Sequence, residues 1–236
     1  MSAEIKVFPT PTDVARAFAQ MIQEQSHAHD RFNIALSGGS TPKLLFDIMA
    51  KDFSSTTNWS SLHFYWGDER CVPPDDPESN YLMTKEHLLD PLNLPESNIH
   101  RVLGESNPSE EAERYGSLIE EHLPVVNELP QFDLIILGMG TDGHTASIFP
   151  HQMELLNSEK TCAIATHPDS GQKRVTLTGP VINNAKSVAF LVTGASKKEK
   201  FEAIQANIEI AQDYPAAHIQ PTTGKLTWWI DEAVTK

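Results

Sequence analysis

The sequence is poor in cysteine, in basic residues and in long apolar runs. Its two cysteines, Cys71 and Cys162, predict free thiols in a reducing compartment and argue against a disulfide framework. Lysine and arginine number 18 against 32 aspartates and glutamates, and this net charge of −14 disfavours a nucleic-acid or anionic-membrane partner. No apolar run approaches the roughly 18 residues of a membrane-spanning helix, and no secretory signal opens the chain. We therefore expect a cytoplasmic protein.

The composition is that of a globular protein with a sizeable core. Hydrophobic residues make up 39% of the 236 residues and charged residues 21%. There is no internal repeat, no low-complexity tract and no interdomain linker, and the proline-rich stretch 71–80 is typical of a rigid loop. These features predict one domain that spans residues 1–236.

Short apolar runs of strand length recur along the chain, and several are apolar nearly throughout, as in strands covered on both faces. These predicted strands are Ile5–Phe8, Phe32–Leu36, Leu62–Trp66, Phe132–Leu137, Cys162–Thr166, Ser187–Thr193 and Thr227–Ile230.

Helical patterns lie between most of these strands. One begins at an N-cap of Thr12 or Asp13, and another has Thr41 as N-cap with Pro42 at its first position. Further candidates are "SNYLMTKEHLL", "PSEEAERYGSLIEEHL" and "SKKEKFEAIQAN". The alternation predicts an α/β fold with a mostly parallel central sheet and helices on both faces. Ligands of such sheets bind beyond the carboxyl ends of the strands.

The first candidate segment, "LSGGSTPK", follows the strand that ends at Leu36. Gly38 and Gly39 let the backbone approach a ligand, the start of the next helix favours an anion, and Ser40 and Thr41 add hydroxyl donors. The segment therefore predicts a phosphate site, although a tight turn with a simple cap would also use these residues. It is neither a Walker loop nor a dinucleotide fingerprint.

The second candidate segment, "WGDER", follows the strand that ends at Trp66. Arg70 could form the bidentate contact that a phosphate or carboxylate favours. Asp68 or Glu69 could orient Arg70 or bind sugar hydroxyls. A solvated loop is the alternative for these three charged residues.

The third candidate segment, "GMGTDGHTASIFP", is dense in glycine and follows a buried strand. Its glycines could present Asp142 and His144 at the sheet edge, and a histidine suits general-base catalysis near neutral pH. We predict a catalytic His144, while Ser147, one helical turn later, is expected to serve packing or capping. A nicotinamide site does not fit this loop.

The fourth candidate segment carries two further cations. Lys197 is predicted at the start of a helix, where it could meet the same phosphate as the first loop, and Arg174 lies in "KRVTLTGP". A solvated surface role is the alternative for both. Signatures of metal sites and of serine hydrolases are absent.

Taken together, the motifs "LSGGSTP", "WGDERCVPPDDPESNY", "LGMGTDGHTASIFP" and "KRVTLT" resemble the family of glucosamine-6-phosphate isomerases and 6-phosphogluconolactonases. The resemblance implies a single Rossmann-like α/β domain without cofactor or metal. It also implies hydrolysis of 6-phospho-D-glucono-1,5-lactone to 6-phosphogluconate, the second step of the oxidative pentose phosphate pathway. The partner would be a small sugar phosphate, and the protein a monomer or weak homo-oligomer.

The third motif separates the two activities of this family. Deaminases typically have G-x-G-x-D-G-H-I-A-F-N-E-P, whereas this chain has "GMGTDGHTASIFP", with Ile148 and Phe149 in the region of the acidic residue. Asp68 matches the proton-shuttling aspartate of deaminases and does not discriminate. Glucosamine-6-phosphate deamination remains the alternative, and a non-catalytic sugar-phosphate sensor is a third, for which we see no room for a DNA-binding segment.

The expected mechanism assigns each candidate a role. Residues 38–41, with Arg70 or Lys197, would hold the 6-phosphate, and His144 would take a proton from the attacking water. Asp142 would orient the ring or contact substrate. Arg70, Arg174 or backbone N–H groups would stabilise the oxyanion.

Overall fold

The computed structural model of the chain describes residues 3–236, in which eleven strands form three sheets. The strands are β1 (Glu4–Phe8), β2 (Phe32–Leu36), β3 (Leu62–Trp66), β4 (Asp68–Arg70), β5 (Val125–Val126), β6 (Leu129–Pro130), β7 (Leu134–Leu137), β8 (Cys162–Thr166), β9 (Lys173–Leu177), β10 (Ser187–Val192) and β11 (Lys225–Asp231).

Seven α-helices connect these strands over the same residues. The helices are α1 (Pro11–Ala28), α2 (Ser40–Asp52), α3 (Asn80–Thr84), α4 (Asp90–Leu92), α5 (Pro108–His122), α6 (Gly179–Asn183) and α7 (Lys198–Gln205). A π-helical turn over Lys85–Leu89 joins α3 to α4, and short 3₁₀ turns, one of them at Ala195–Lys197, complete the connections.

The central sheet has six parallel strands in the order β1-β11-β10-β7-β2-β3. Every residue of β2 and β7 is buried, so side chains on both faces of these strands are covered. On one face, Phe18 of α1 packs edge-on against Trp229 of β11 at a centroid distance of 5.0 Å. The predicted α/β fold with a mostly parallel central sheet is therefore confirmed.

A second, antiparallel sheet of three strands has the order β4-β9-β8. The sequence predicted β8 with its observed bounds but gave no reason to separate it from the parallel sheet. Asp68–Arg70, for which a solvated loop was considered, instead forms β4. Its three charged residues hide the apolar pattern on which strand prediction depends. The chain passes between the sheets at Gly67, whose N–H donates to Leu36 of β2 at 2.8 Å and whose carbonyl accepts from Leu177 of β9 at 2.8 Å.

Two helices begin earlier than the sequence predicted. The N-cap of α1 is Thr10, whose Oγ1 accepts from the N–H of Asp13 at 3.2 Å, so Pro11 takes the first helical position. The helix α2 begins at Ser40, so its N-cap is Gly39, not Thr41. The φ of Gly39 is +106°, a conformation open mainly to glycine.

One large cluster of buried apolar side chains runs through the molecule, and it includes residues of both larger sheets, such as Phe190 and Leu177. Cys71 is half-buried and Cys162 is buried, and both are free thiols. Over residues 3–236, no helix is both long and apolar enough to cross a membrane.

Candidate active site

Four segments meet beyond the carboxyl ends of the parallel strands. They follow β2, β3, β7 and β10, and they enclose a cavity of about 250 Å³. This is the location at which sheets of this kind bind ligands. The residues that line the cavity are Ser37, Gly38, Gly39, Asp68, Arg70, Asn80, Gly138, Met139, Gly140, His144, Ala146, Arg174 and Lys197.

Asp142 and His144 form a hydrogen-bonded dyad at this cavity. Asp142 Oδ1 lies 2.6 Å from Nδ1 of His144 and also accepts from the backbone N–H of His144 at 3.1 Å. Burial raises the pKa of Asp142, but hydrogen bonds from His144 and its charge outweigh burial and lower this pKa to about 2. Because an ionised carboxylate only accepts, Nδ1 carries the proton and Nε2 remains as the basic ring nitrogen.

The dyad depends on a tight loop after β7. The N–H of Gly140 donates to the carbonyl of His144 at 2.8 Å, and Oγ1 of Thr145 donates to the carbonyl of Gly138 at 2.8 Å. A Cβ at Gly140 would lie 2.2 Å from His144 Nδ1 and 2.5 Å from Asp142 Oδ1. The glycine therefore leaves the space that the carboxylate and the imidazole share.

The small sheet presents alternate residues of two strands to the cavity. Asp68 and Arg70 lie on one face of β4, opposite Thr176 and Arg174 of β9 respectively. Glu69 points the other way and accepts hydrogen bonds at the start of α3, from Asn80 N–H at 2.8 Å and Tyr81 N–H at 2.7 Å. Glu69 thus holds a helix in place and does not orient the guanidinium of Arg70.

Arg70 and Arg174 are direct cross-strand partners, although like charges at such positions repel each other. Neither forms a salt bridge within residues 3–236, and in both residues Nε is buried without a hydrogen-bond partner. Burial lowers the pKa of Arg174. The positive charge of Arg70 lowers this pKa further, whereas the carboxylate of Asp68 raises it. Buried donors without partners beside a cavity are suited to an anionic ligand.

Lys197 reaches the cavity from the turn after β10. Burial lowers the pKa of Lys197, and the negative charge of Asp142 opposes this effect. Lys197 lines the same cavity as His144. Thr193 Oγ1 lies 2.8 Å from Thr41 Oγ1, a contact that ties this turn to the first loop. The Nζ of Lys197 makes no salt bridge in the described part of the chain.

Seven of the ten residues that the sequence singled out line the cavity: Gly38, Gly39, Asp68, Arg70, His144, Arg174 and Lys197. Asp142 does not line the cavity, but it is hydrogen-bonded to His144, which does. Ser40 and Thr41 do not line the cavity, because they already belong to the first turn of α2, and the hydroxyl of Thr41 contacts Thr193.

Sequence reasoning did not single out Asn80 or Met139, which also line the cavity, and it left Ser147 with a packing role. Nδ2 of Asn80 donates to the carbonyl of Asp68 at 2.9 Å. The only sequence feature that could have indicated a site role for Asn80 was its position within the motif "WGDERCVPPDDPESNY". No group of three or more potential metal ligands is arranged around a common point in residues 3–236.

The chain is similar to known proteins in both sequence and structure. A 6-phosphogluconolactonase of Haemophilus influenzae is 44% identical over 230 residues, which cover 97% of each chain. A protein called devB, known from a crystal structure, has 42% sequence identity to this chain. Its TM-score is 0.95, over 99% of this chain and 98% of that one. The 6-phosphogluconolactonase of Trypanosoma brucei is 29% identical, with a TM-score of 0.86 over 99% and 98% of the two chains.

The family model described as glucosamine-6-phosphate isomerases/6-phosphogluconolactonase matches residues 10–228. That range contains all four segments of the cavity. The chain therefore belongs to the glucosamine-6-phosphate isomerase/6-phosphogluconolactonase family.

Proposed function

We propose that this chain hydrolyses 6-phospho-D-glucono-1,5-lactone to 6-phosphogluconate, the activity after which its relatives in Haemophilus influenzae and Trypanosoma brucei are named. The observation that carries the proposal is the dyad of Asp142 and His144 beside Arg70 and Arg174, neither of which forms a salt bridge in the described chain. A basic imidazole nitrogen and fixed positive charges are what lactone hydrolysis requires.

The 6-phosphate is held by the backbone of Gly38 and Gly39 with Arg70 and Lys197. The α2 helix starts here without a side-chain cap, which leaves N–H groups free for an anion. Lys197 belongs to the same side of the cavity, since its turn contacts the first loop through Thr41. This assignment follows the expectation from the sequence, with Ser40 and Thr41 acting through the backbone of the helix start.

Arg174 stabilises the oxyanion that develops on the carbonyl. Its guanidinium lies 5.5 Å from the ring centroid of Phe149, and the same ring lies 4.8 Å from that of His144. Both side chains thus pack on one buried aromatic residue, which supports a place for Arg174 near the reacting carbon. A preorganised cation in a partly buried site stabilises charge more than it would in water.

Hydrolysis then proceeds in two steps. Nε2 of His144 takes a proton as water oxygen forms a bond to C1, and the carbonyl electron pair moves onto its oxygen. The oxyanion collapses, the bond between C1 and the ring oxygen breaks, and the imidazolium returns its proton to that oxygen. Asp142 keeps Nδ1 protonated throughout and stabilises the imidazolium.

Deamination, the alternative from the sequence, is not favoured by any observation. Ile148 and Phe149 occupy the region where deaminases of the family carry an acid, and both side chains are fully buried. Relatives that are 44% and 42% identical to this chain are named as 6-phosphogluconolactonases.

The proposal includes the finer expectations about partners and compartment. The substrate is a small sugar phosphate, and the net charge of −14 disfavours nucleic acid. Two free thiols support a reducing compartment such as the cytoplasm. A monomer or weak homo-oligomer remains our expectation.

Acid release from fresh 6-phosphogluconolactone tests this function. His144→Ala should lower kcat by roughly 100-fold or more, the usual scale for loss of a general base. The variant should keep its far-UV circular dichroism and still bind 6-phosphogluconate. Because the lactone also opens unaided, every rate is corrected with an enzyme-free control.

A matched control is His27→Ala, which removes a histidine on α1 whose ring contacts the carbonyl of Thr56. This variant should retain wild-type turnover. Lack of lactonase activity in the wild type would end the proposed function, whereas unchanged turnover in His144→Ala would remove only the general base.

A further inference from the structure

Ser147 is a fully buried polar residue that the proposed mechanism does not use. Its Oγ lies 2.6 Å from Oδ2 of Asp68 and 3.4 Å from Nη1 of Arg174, both of which face the cavity. Its backbone N–H donates to Oγ1 of Thr176 at 3.2 Å, which fixes the residue against β9. The hydroxyl therefore bridges one residue of β4 and one of β9.

The direction of these hydrogen bonds follows from the chemistry of the groups. A guanidinium has donors only, so the single proton of the serine hydroxyl goes to Asp68, and its oxygen accepts from Arg174. The result is a chain from Arg174 through Ser147 to Asp68. Each bond in such a chain polarises the next, and the serine proton has one orientation.

The bridge also separates two opposite charges. Asp68 is 6% exposed, and within residues 3–236 Ser147 is the only side chain that donates to its carboxylate. Arg174 forms no salt bridge there. Without the hydroxyl, a half-buried cation and a buried anion on neighbouring strands would gain by closing into a direct ion pair.

We propose that Ser147 is a positioning residue, which holds Arg174 and Asp68 apart so that both face the substrate in the cavity. This inference rests on the proposed function and extends it by one residue. Arg174 can then donate to the carbonyl oxygen of the lactone, and Asp68 can accept a hydrogen bond from a sugar hydroxyl. Ser147 itself does not touch the reacting atoms.

Steady-state kinetics of Ser147→Ala test the proposal. Closure of the ion pair should lower kcat by about tenfold to 100-fold, the scale expected when a catalytic group is misplaced by about 1 Å. KM should change much less, because Arg70, Lys197 and the first loop still hold the phosphate. Ser147→Thr keeps the hydroxyl and should restore most of the lost kcat.

Ser61→Ala is the matched control for loss of a buried hydroxyl. Ser61 is 2% exposed, and its Oγ donates to the carbonyl of Ser26 at 2.7 Å, at the end of the sheet opposite the cavity. This variant should lower the melting temperature and leave kcat unchanged. If Ser147→Ala does not fold, Ser147→Cys, with a weak donor of similar size, gives the same kinetic test.

A double-mutant cycle with Arg174→Ala decides whether Ser147 acts through Arg174. The loss of kcat from Ser147→Ala should largely vanish when Arg174 is already alanine. Additive losses, or a Ser147→Ala variant with a lower melting temperature and wild-type kcat, would overturn the inference. A wild type without lactonase activity would instead refute the proposed function.

Discussion

Gly140 leaves the space in which the dyad of Asp142 and His144 forms. An added methyl group would overlap the imidazole and the carboxylate, as the distances of 2.2 Å and 2.5 Å show. These are side-chain atoms at a cavity, so the chain can keep its fold while the dyad is displaced. Gly140→Ala should therefore lower kcat by about 100-fold, with little change in the melting temperature, as measured by initial rates and thermal denaturation.

Gly116→Ala provides the comparison for this prediction. Gly116 lies inside α5, and a Cβ there would meet its nearest neighbour at an ordinary contact distance of 3.5 Å. Alanine in a helix interior should stabilise the protein by about 0.5–1 kcal/mol and leave kcat unchanged. Wild-type kcat in Gly140→Ala would show that the observed dyad geometry is not required for turnover.

Single residues were predictable from the sequence where local composition marked them. The glycines around Asp142 and His144 indicated a loop with a special backbone, and the structure places His144 at the cavity with Asp142 hydrogen-bonded to its ring. Ser147 was assigned to packing or capping, and its observed partner Asp68 lies 79 residues away in the chain. A role that depends on a distant neighbour leaves no pattern in the sequence around it.

Strands were predictable where burial on both faces makes them uniformly apolar, as in β2 and β3, whose bounds match the prediction. The short strand β4 was not recognised, because Asp68, Glu69 and Arg70 serve the cavity and the start of α3 rather than an apolar core. Charged residues that face the cavity or bind the start of α3 thus obscured the strand that carries them.

A cluster of three histidines joins His63 of β3, His100 of a connecting segment and His122 at the end of α5. Nδ1 of His63 lies 3.3 Å from Nε2 of His100, and the His100 ring stacks on Tyr65 at 4.4 Å and meets His122 at 4.8 Å. Arg31 adds a positive charge by donating to the Tyr65 hydroxyl at 3.2 Å. Charged imidazoles are therefore disfavoured here.

This cluster should make the fold sensitive to mild acid. Burial, followed by the charges of Arg31 and His122, lowers the pKa of His63 to about 4, and burial with His122, His63 and Arg31 does the same for His100. The unfolded chain binds these protons near pH 6.5. Between roughly pH 6.5 and 4, the unfolded state therefore holds more protons, and stability falls as pH falls.

His100→Phe should weaken this dependence, because phenylalanine keeps the stacking but cannot take up a proton. Urea unfolding at several pH values measures the free energy of unfolding, whose slope against pH should become shallower between pH 6.5 and 4. His27→Ala, on the exposed side of α1, should keep the wild-type slope. Equal slopes for all three proteins would refute a role of the cluster in acid sensitivity.

At the scale of the whole molecule, the two larger sheets share one hydrophobic core. The predicted single domain of residues 1–236 should therefore unfold in one cooperative transition. Trp66 ends β3 at one edge of the central sheet, and Trp228 lies in β11 near the other edge. Urea curves followed by far-UV circular dichroism and by tryptophan fluorescence should coincide.

The chain has four tryptophans, two near each edge. The double substitutions Trp59→Phe/Trp66→Phe and Trp228→Phe/Trp229→Phe therefore let fluorescence report on one edge at a time. Both variants should show the same coincidence of transitions, even though each loses some stability. Two separate midpoints, one for each edge of the sheet, would mean that the chain consists of more than one folding unit.

The fold class followed from the alternation of strands and helices, but the order of strands did not. Hydrophobic patterns predict where β10 and β11 lie in the sequence. They do not predict that both strands lie between β1 and β7 in the sheet. That choice depends on how faces of several elements fit together after they form. It brings Lys197, which follows β10, beside loops encoded more than a hundred residues earlier.

In the described chain, β1 precedes all other strands and has β11, which follows all of them, as its sole neighbour. During translation, the backbone N–H and C=O groups of Glu4–Phe8 consequently have no strand partner until Lys225–Asp231 has left the ribosome. Ile5 and Val7 stay about half exposed even in the finished protein. The yield of folded protein in a cell should thus depend on shielding this nascent strand from other chains.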